Sequence, residues 1–404
     1  MTRIRAAVCT AFNAPLTIED LDLRAPGTGE IEVTLEAVAI CHSDISYADG
    51  AWGGDLPAVY GHEASGRITA LGDGVKGLSE GDRVVVTLIR SCGACVNCNS
   101  GKPTICENQG GRPSPLSRPD GTPVVQAMNC GAFAERVVVD QSQVVPLPET
   151  LPAEGVCLLA CGVITGIGAV VNAGRLRAGE DVVVIGAGGV GLNAIQGARI
   201  AGARRIVAVD MSEAKLEIAR EFGATDAVLG TSKAPWKAAL KALGKGADVV
   251  AVTVGAIPAY EQAMRYLGWG GRMVMVGMPH TGAMAQYEPV VPAYTGQQMI
   301  GSKMGDVVIR RDIPWMADLY RQGRLKLDEL VSGRWSLDQI NEAIADTKTG
   351  GARRNVILFE INPVNVHAGS VFCKILRDDL AKFFAAAIGV RTVEKIIHEL
   401  GVRR

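Results

Sequence analysis

The stretch from Cys41 to Glu63 carries the residue types of a metal centre. It reads Cys41-His42-Ser43-Asp44 and, about twenty residues on, Gly61-His62-Glu63. A thiolate and an imidazole suit a divalent zinc ion. A catalytic zinc takes three protein ligands and keeps a fourth position open for a reacting oxygen. Cys41 and His62 therefore call for one more donor. On chemistry alone Cys157 and Cys161 both qualify, one helical turn apart.

A second set of donors is Cys92-Gly93-Ala94-Cys95-Val96-Asn97-Cys98, joined across the loop 99–105 by Cys106. Four thiolates at this spacing make a closed tetrahedral zinc site, which has no open position and so pins its loop. Iron–sulfur clusters also take four cysteines, but at other spacings. Ten cysteines would form a disulfide framework only in a secreted chain; clustered thiols in a reducing compartment more often bind metal.

The third chemical element is a glycine loop. Asp181-Val182-Val183-Val184-Ile185 reads as a buried parallel strand, ending in Gly186-Ala187-Gly188-Gly189-Val190-Gly191 and a helical segment, 192–201. A second strand, 205–209, runs into Asp210, roughly twenty residues beyond Gly191. The glycines let backbone approach a pyrophosphate, and the helix N-terminus favours its charge. Asp210 accepts hydrogen bonds from a ribose and repels a 2′-phosphate, which favours NAD over NADP.

These residues need two kinds of framework. Residues 1–40, 64–90 and 133–147 read as short strands and turns, with 31–38 alternating as a half-buried strand, and 107–128 reads as a Gly- and Pro-rich surface loop. From about residue 152 the pattern turns to βα alternation, with strands at 248–252 and 272–276 and a helix around 260–267, a doubly wound sheet. After about 296 the chain leaves that sheet; 313–322 and 337–347 read as helices and 355–359 as a closing strand. The length of 404 residues suits two domains. A net charge of −1 gives no reason to expect nucleic acid or an anionic membrane as partner. No apolar run reaches a membrane span, and residues 1–12 carry no signal-peptide pattern, so a cytoplasmic protein is expected.

With these motifs in place the chain resembles the zinc-dependent medium-chain alcohol dehydrogenases over residues 1–360. The resemblance implies an α/β fold: a GroES-like, mostly-β catalytic domain (1–160, completed by 297–360) with an inserted Rossmann domain, a doubly wound parallel sheet that binds NAD (161–296). It implies two zinc ions per chain, one on Cys41, His62 and Cys161 and one on Cys92, Cys95, Cys98 and Cys106. The family pattern puts the third catalytic ligand just before Gly-Val-x-Thr-Gly, hence Cys161. Glu63 would lie beside the metal, Asp44 would orient His62 through its second ring nitrogen, and His42 and Arg354 would meet the cofactor pyrophosphate. Val276 belongs to the cofactor wall with Gly186, Gly188, Gly189, Val190, Gly191 and Asp210. An alcohol at the open metal position would lose its proton to Ser43 and give hydride to NAD, or the reverse with an aldehyde. Some relatives carry a proton-relaying histidine where this chain has Ser46.

Trp52 and Leu88 match substrate-pocket positions by spacing, with Tyr47 and Met304 as further cleft residues; together they suggest an apolar alcohol or aldehyde. A homo-oligomer, dimer or tetramer, is expected. Residues 361–404 lie outside the resemblance and show two amphipathic stripes, suited to packing on the body, subunit contact or a membrane surface; Cys373 and His398 there are not expected as ligands. The alternatives are a dehydrogenase of S-(hydroxymethyl) thiol adducts of formaldehyde and, in another class, a non-catalytic NAD- and zinc-binding protein. The complete set Cys41, His62 and Cys161 argues against the latter.

Overall fold

The computed structural model describes residues 1–110 and 112–359; the expected helices of the tail, with Cys373 and His398, lie outside the described residues. Three sheets position the site. The first is a small closed barrel of the strands Thr2–Cys9, Thr17–Leu23, Leu116–Ser117, Pro123–Gln126 and Ala58–Val59. Two of its strands fall inside 107–128, where a loop was expected. Leu116 and Val124 are buried as a register pair, so two apolar residues suffice to seat short strands that show no periodicity of their own.

The second sheet is organised around Glu30–Ala39, which pairs with Glu63–Leu71, Arg136–Asp140 and the returning Arg354–Leu358. Alternation predicted a half-buried strand here. Nearly every residue is buried instead, because arginines neutralise the polar positions: Arg136 meets Glu32 at 3.0 Å and Arg83 meets Glu36 at 2.8 Å. An unpaired buried carboxylate would be prohibitive, and pairing removes that penalty.

The third sheet is fully parallel, in the order Asp226–Leu229, Arg205–Asp210, Asp181–Ile185, Ala247–Val252, Leu267–Met275, Gln298–Gly301. The chain therefore leaves this sheet after Gly301, one strand later than 296. Gln298–Gly301 is exposed along most of its length and so lacks the apolar run of a central strand. The strand order reverses beside Asp181–Ile185, which opens a crevice at the carboxyl ends of the strands. A helix, Gly189–Ile200, begins at that crevice.

Residues 1–359 form one compact unit. A single apolar core joins Ala37 and Val85 of the second sheet to Leu158, Ile164, Val182 and Val249. The two walls of the crevice are thus held by continuous packing.

Candidate functional site

Cys41 follows the central strand and caps the short helix His42–Ala48. Its backbone N–H donates to Asp44 Oδ2 at 3.0 Å. Asp44 Oδ1 accepts from the Gly61 N–H and from His62 Nδ1, each at 2.9 Å. Asp44 and His62 are both buried. With Nδ1 donating, the Nε2 lone pair of His62 faces Cys161 Sγ at 3.3 Å. Cys161 sits at a break between the turn Cys157–Ala160 and the helix Gly162–Gly168, and the break turns its thiol back toward His62. One donor atom each from Cys41, His62, Glu63 and Cys161 fall within 4.8 Å of one another. Cys157 is elsewhere, its thiol donating to the Glu154 carbonyl at 3.2 Å.

The electrostatics of this cluster call for a cation. The hydrogen bond from Cys161 holds the Cys41 thiol well below its usual range, overcoming burial, with His62 assisting. Cys161 is pushed up by that same ionised neighbour and by burial. Two thiolates cannot coexist there without added positive charge. Burial pushes the Glu63 carboxyl up to about 8, against the pull of Arg354. Neither Glu63 oxygen has a hydrogen-bond partner, and Arg354 Nη2, 3.7 Å from Oε1, has none either. Orphaned buried groups of this kind mark a site awaiting a ligand. The donors suit zinc in type and number.

The glycine loop lies across the crevice. Gly186 has φ +98° and Gly191 is jammed against the Gly186 carbonyl, 1.8 Å from where a Cβ would fall. Both serve the turn. Gly189 and Gly162 make room for Arg354, whose guanidinium would meet a Cβ at 2.6 Å and 2.2 Å respectively. At Gly188 a Cβ would meet nothing within 4 Å, so the empty space over the helix N-terminus is there. Asp210 stands at the end of its strand, accepting from the Ala187 N–H at 2.7 Å and the Ser212 N–H at 3.0 Å.

All of this opens into one cleft of about 1580 Å³, lined by Cys41, His42, Ser43, His62, Cys161, Gly188, Gly189, Val190, Asp210, Val276 and Arg354. That exceeds the roughly 300–1,000 Å³ of a pocket for one small ligand, and suits two. Enclosure by the walls lowers the His42 pKa, with Arg354 and Lys215 adding to the effect and Cys41 opposing it. Ser46, Tyr47, Trp52, Leu88 and Met304 also face the cleft. Tyr47 meets Trp52 edge-on at 5.0 Å, and Trp52 Nε1 donates to the Pro279 carbonyl at 3.2 Å, bridging the two walls. Met304 Sδ is 3.9 Å from Cys161 Sγ.

Sequence reasoning missed Lys215, one turn into the helix after Asp210, and Thr253, whose hydroxyl donates to the Gly186 carbonyl at 2.8 Å and holds the loop. Each is a polar residue shortly after a strand's carboxyl end in a doubly wound sheet, which is the signal that could have found it.

The sulfurs of Cys92, Cys95, Cys98 and Cys106 lie within 4.8 Å of one another. Backbone N–H groups of Ala94 and Cys95 donate to Cys92 Sγ at 3.4 and 3.3 Å, and those of Cys92 and Asn108 to Cys106 Sγ at 3.3 Å. Hydrogen bonding, with Asn108 first, brings Cys92 down to about 6, while burial and the adjacent Cys95 push Cys98 up to about 12. This lobe too fits a divalent cation and offers it no vacant position.

Comparison with known proteins gives the following. Residues 27–149 match the alcohol dehydrogenase GroES-like domain and residues 189–322 the zinc-binding dehydrogenase domain. The chain is similar to the NDMA-dependent alcohol dehydrogenase of Amycolatopsis methanolica, 35% identical over 88% of this chain and 99% of that protein. It is also similar to the S-(hydroxymethyl)glutathione dehydrogenase of Paracoccus denitrificans, 32% identical over 88% of this chain and 100% of that one. Among solved structures, benzyl alcohol dehydrogenase from Acinetobacter calcoaceticus superposes with a TM-score of 0.84 at 31% identity, covering 89% of this chain and 100% of its own.

Proposed function

From the premise that this chain belongs to the zinc-dependent medium-chain alcohol dehydrogenase family, we propose a specific division of labour for its oxidoreductase activity on alcohols. Cys41, His62 and Cys161 hold a catalytic zinc, and Cys92, Cys95, Cys98 and Cys106 a structural one, two per chain. Zinc at the first site supplies a Lewis acid of the kind that lowers the pKa of bound water from about 15.7 to about 7. Asp44 keeps the His62 proton on Nδ1 and so keeps Nε2 free for the metal. Glu63 lies behind the ligands and faces Arg354, whose charge opposes the cost of burying the carboxylate. Ser43, on the cleft wall, would accept the proton of the reacting hydroxyl while giving up its own, and Ser46 would pass that proton to solvent only through water. The NAD pyrophosphate lies over Gly188, between His42 and Arg354, and Asp210 receives the ribose hydroxyls. Val190 and Val276 form the cofactor wall. Tyr47, Trp52 and Leu88 exclude water from an apolar substrate body.

The observation that carries this reading is the arrangement of the cleft. A buried thiolate–imidazole cluster and an open cradle at Gly188 share one cavity. The test is NADH formation on a panel of alcohols, run with NAD and NADP in parallel, with and without formaldehyde plus glutathione. Reduction of NAD by simple alcohols is the expected result. A requirement for the thiol would favour the S-(hydroxymethyl) adduct as substrate, a reading supported by the Paracoccus relative. No reduction with any substrate would sink both.

A homo-oligomer would cover exposed apolar residues near the end of the parallel sheet, where Met299 lies on the edge strand Gln298–Gly301 and Trp269 of the neighbouring strand meets Tyr294 edge-on at 5.4 Å. Native edges of this kind are normally covered. No single helix among the described residues is long and apolar enough to cross a membrane.

A further inference from the structure

The four-cysteine lobe and the buried cluster hold their sulfurs in different ways. In the lobe, backbone N–H groups donate to Cys92, Cys95 and Cys106. Among the described residues no backbone N–H reaches Cys161 Sγ. That sulfur has His62 Nε2 at 3.3 Å and, outside the ligand set, Met304 Sδ at 3.9 Å. A side chain that ligates a metal needs neighbours that fix its direction. At Cys161 the fixing falls to packing against Met304.

Met304 is itself held by an unusual turn. Met304, Gly305 and Asp306 have φ of +54°, +68° and +50°, and non-glycine residues keep that conformation only where their surroundings impose it. The helix that starts beside Cys161 imposes it here. A Cβ on Gly168 would fall 2.2 Å from the Gly305 carbonyl oxygen, and one on Gly305 would fall 2.4 Å from the Ile164 carbonyl oxygen, so turn and helix meet backbone to backbone. Past Gly168 the helix widens over Ala169–Ala173, where the Gly174 N–H donates to the Ala169 carbonyl at 2.8 Å, five residues back. Such turns are rare and recur at functional sites. Within it Asn172 faces the cleft and donates from Nδ2 to the Gly305 carbonyl at 3.1 Å. Thr165 of the same helix sets its hydroxyl 3.8 Å from Met304 Sδ. The chain thus places a metal ligand at the helix start and, about three turns later, a clamp on the residue that packs against that ligand.

We propose that Asn172 and Met304 are positioning residues of the metal centre. Asn172 fixes the turn, the turn presses the Met304 thioether onto the Cys161 sulfur, and that contact aims the sulfur at the metal. This rests on the zinc reading above. A thioether is flexible and polarisable and follows the sulfur closely. Leucine, of similar volume, can take its place, whereas a smaller side chain leaves the sulfur free to turn away.

The test is chelator competition on the zinc-loaded protein, with the lobe zinc as internal control. Met304→Ala and Asn172→Leu should each give up the catalytic zinc at roughly tenfold lower chelator concentration, the low end for partners of a metal ligand, while the lobe zinc is released as before. Met304→Leu should stay close to the unaltered protein. The double variant Asn172→Leu/Met304→Ala should be no weaker than Met304→Ala, because residues acting along one path are not additive. With cobalt(II) exchanged into the catalytic site and zinc kept in the lobe, the sulfur-to-metal absorption band should move in Asn172→Leu and hold still in Met304→Leu. Should Asn172→Leu fail to fold, Asn172→Asp sets an acceptor against the Gly305 carbonyl and carries the same comparison. Unchanged release with an unchanged band in the Asn172 variant would overturn the proposal. So would Met304→Leu matching Met304→Ala, effects that add in the double variant, or equal weakening at the lobe. A single zinc in the unaltered protein, held by the lobe, would fell the zinc reading itself, and counting the metal first tells the two failures apart.

Discussion

Asp44→Asn isolates the residue on which the metal cluster turns. The carboxylate accepts from three donors, the N–H groups of Cys41 and Gly61 and Nδ1 of His62. An asparagine fills the same volume but has one acceptor oxygen and one donor NH₂. At least one of the three donors must then face an N–H. If that donor is a backbone N–H, a buried group goes unsatisfied at about 1–3 kcal/mol. If it is His62, the ring takes the other tautomer, its proton moves to Nε2, and the lone pair that faces Cys161 is gone. Either way the loss falls on one metal site, and second-layer partners of this sort typically account for 10–100-fold in metal affinity. The assay is chelator competition followed by elemental analysis. Unaltered protein should hold close to two zinc atoms per chain. Asp44→Asn should release one of them at chelator concentrations roughly 10–100-fold lower, while the lobe of Cys92, Cys95, Cys98 and Cys106 keeps its own. Two zinc atoms released identically in both proteins would refute the orienting role of Asp44. A single atom in the unaltered protein, confined to the lobe, would refute the catalytic site altogether.

Three further outcomes follow from the same geometry. Gly188→Ala adds a methyl group where the protein has open space, whereas at Gly191 it would meet a carbonyl at 1.8 Å. The first should raise KM for NAD with an unchanged Tm, and the second should lower Tm, as seen by coenzyme titration and thermal melts. Ser43→Ala should reduce turnover by roughly 10²-fold or more, within the range of acid–base groups; an unchanged rate would remove Ser43 from the proton path. Glu30, only 7% exposed in its side chain, is displaced upward by burial, but hydrogen bonds from Arg24, the Gly27 N–H and Arg112 outweigh that and bring it to about 2 from the usual 4.5. A carboxyl with a depressed pKa contributes stability that is present above its unfolded pKa and lost as pH falls toward the folded one. Acid melts should therefore lose on the order of 3 kcal/mol between about pH 4.5 and about pH 2, and Glu30→Gln should flatten that part of the curve.

What could be read in the sequence depended on whether the chemistry was local. Cys41-His42-Ser43-Asp44 and Gly61-His62-Glu63 each lie within one turn, and their residue types alone pointed to a metal. The glycine loop was legible because a strand, its turn and its helix are consecutive. The reasons for particular glycines were not. Gly189 was assigned to the pyrophosphate, yet its missing side chain makes room for Arg354, a residue about 165 positions later that only sheet pairing brings back. The same non-locality hid the strands Leu116–Ser117 and Pro123–Gln126, whose partners are fixed by barrel closure rather than by periodicity. It also hid the sixth parallel strand, Gln298–Gly301, whose exposed residues look like loop until the neighbouring Leu267–Met275 is in place. The buried glutamates of Glu30–Ala39 misled for an allied reason: alternation reports which residues prefer water, and arginines from four separate segments can take water's place.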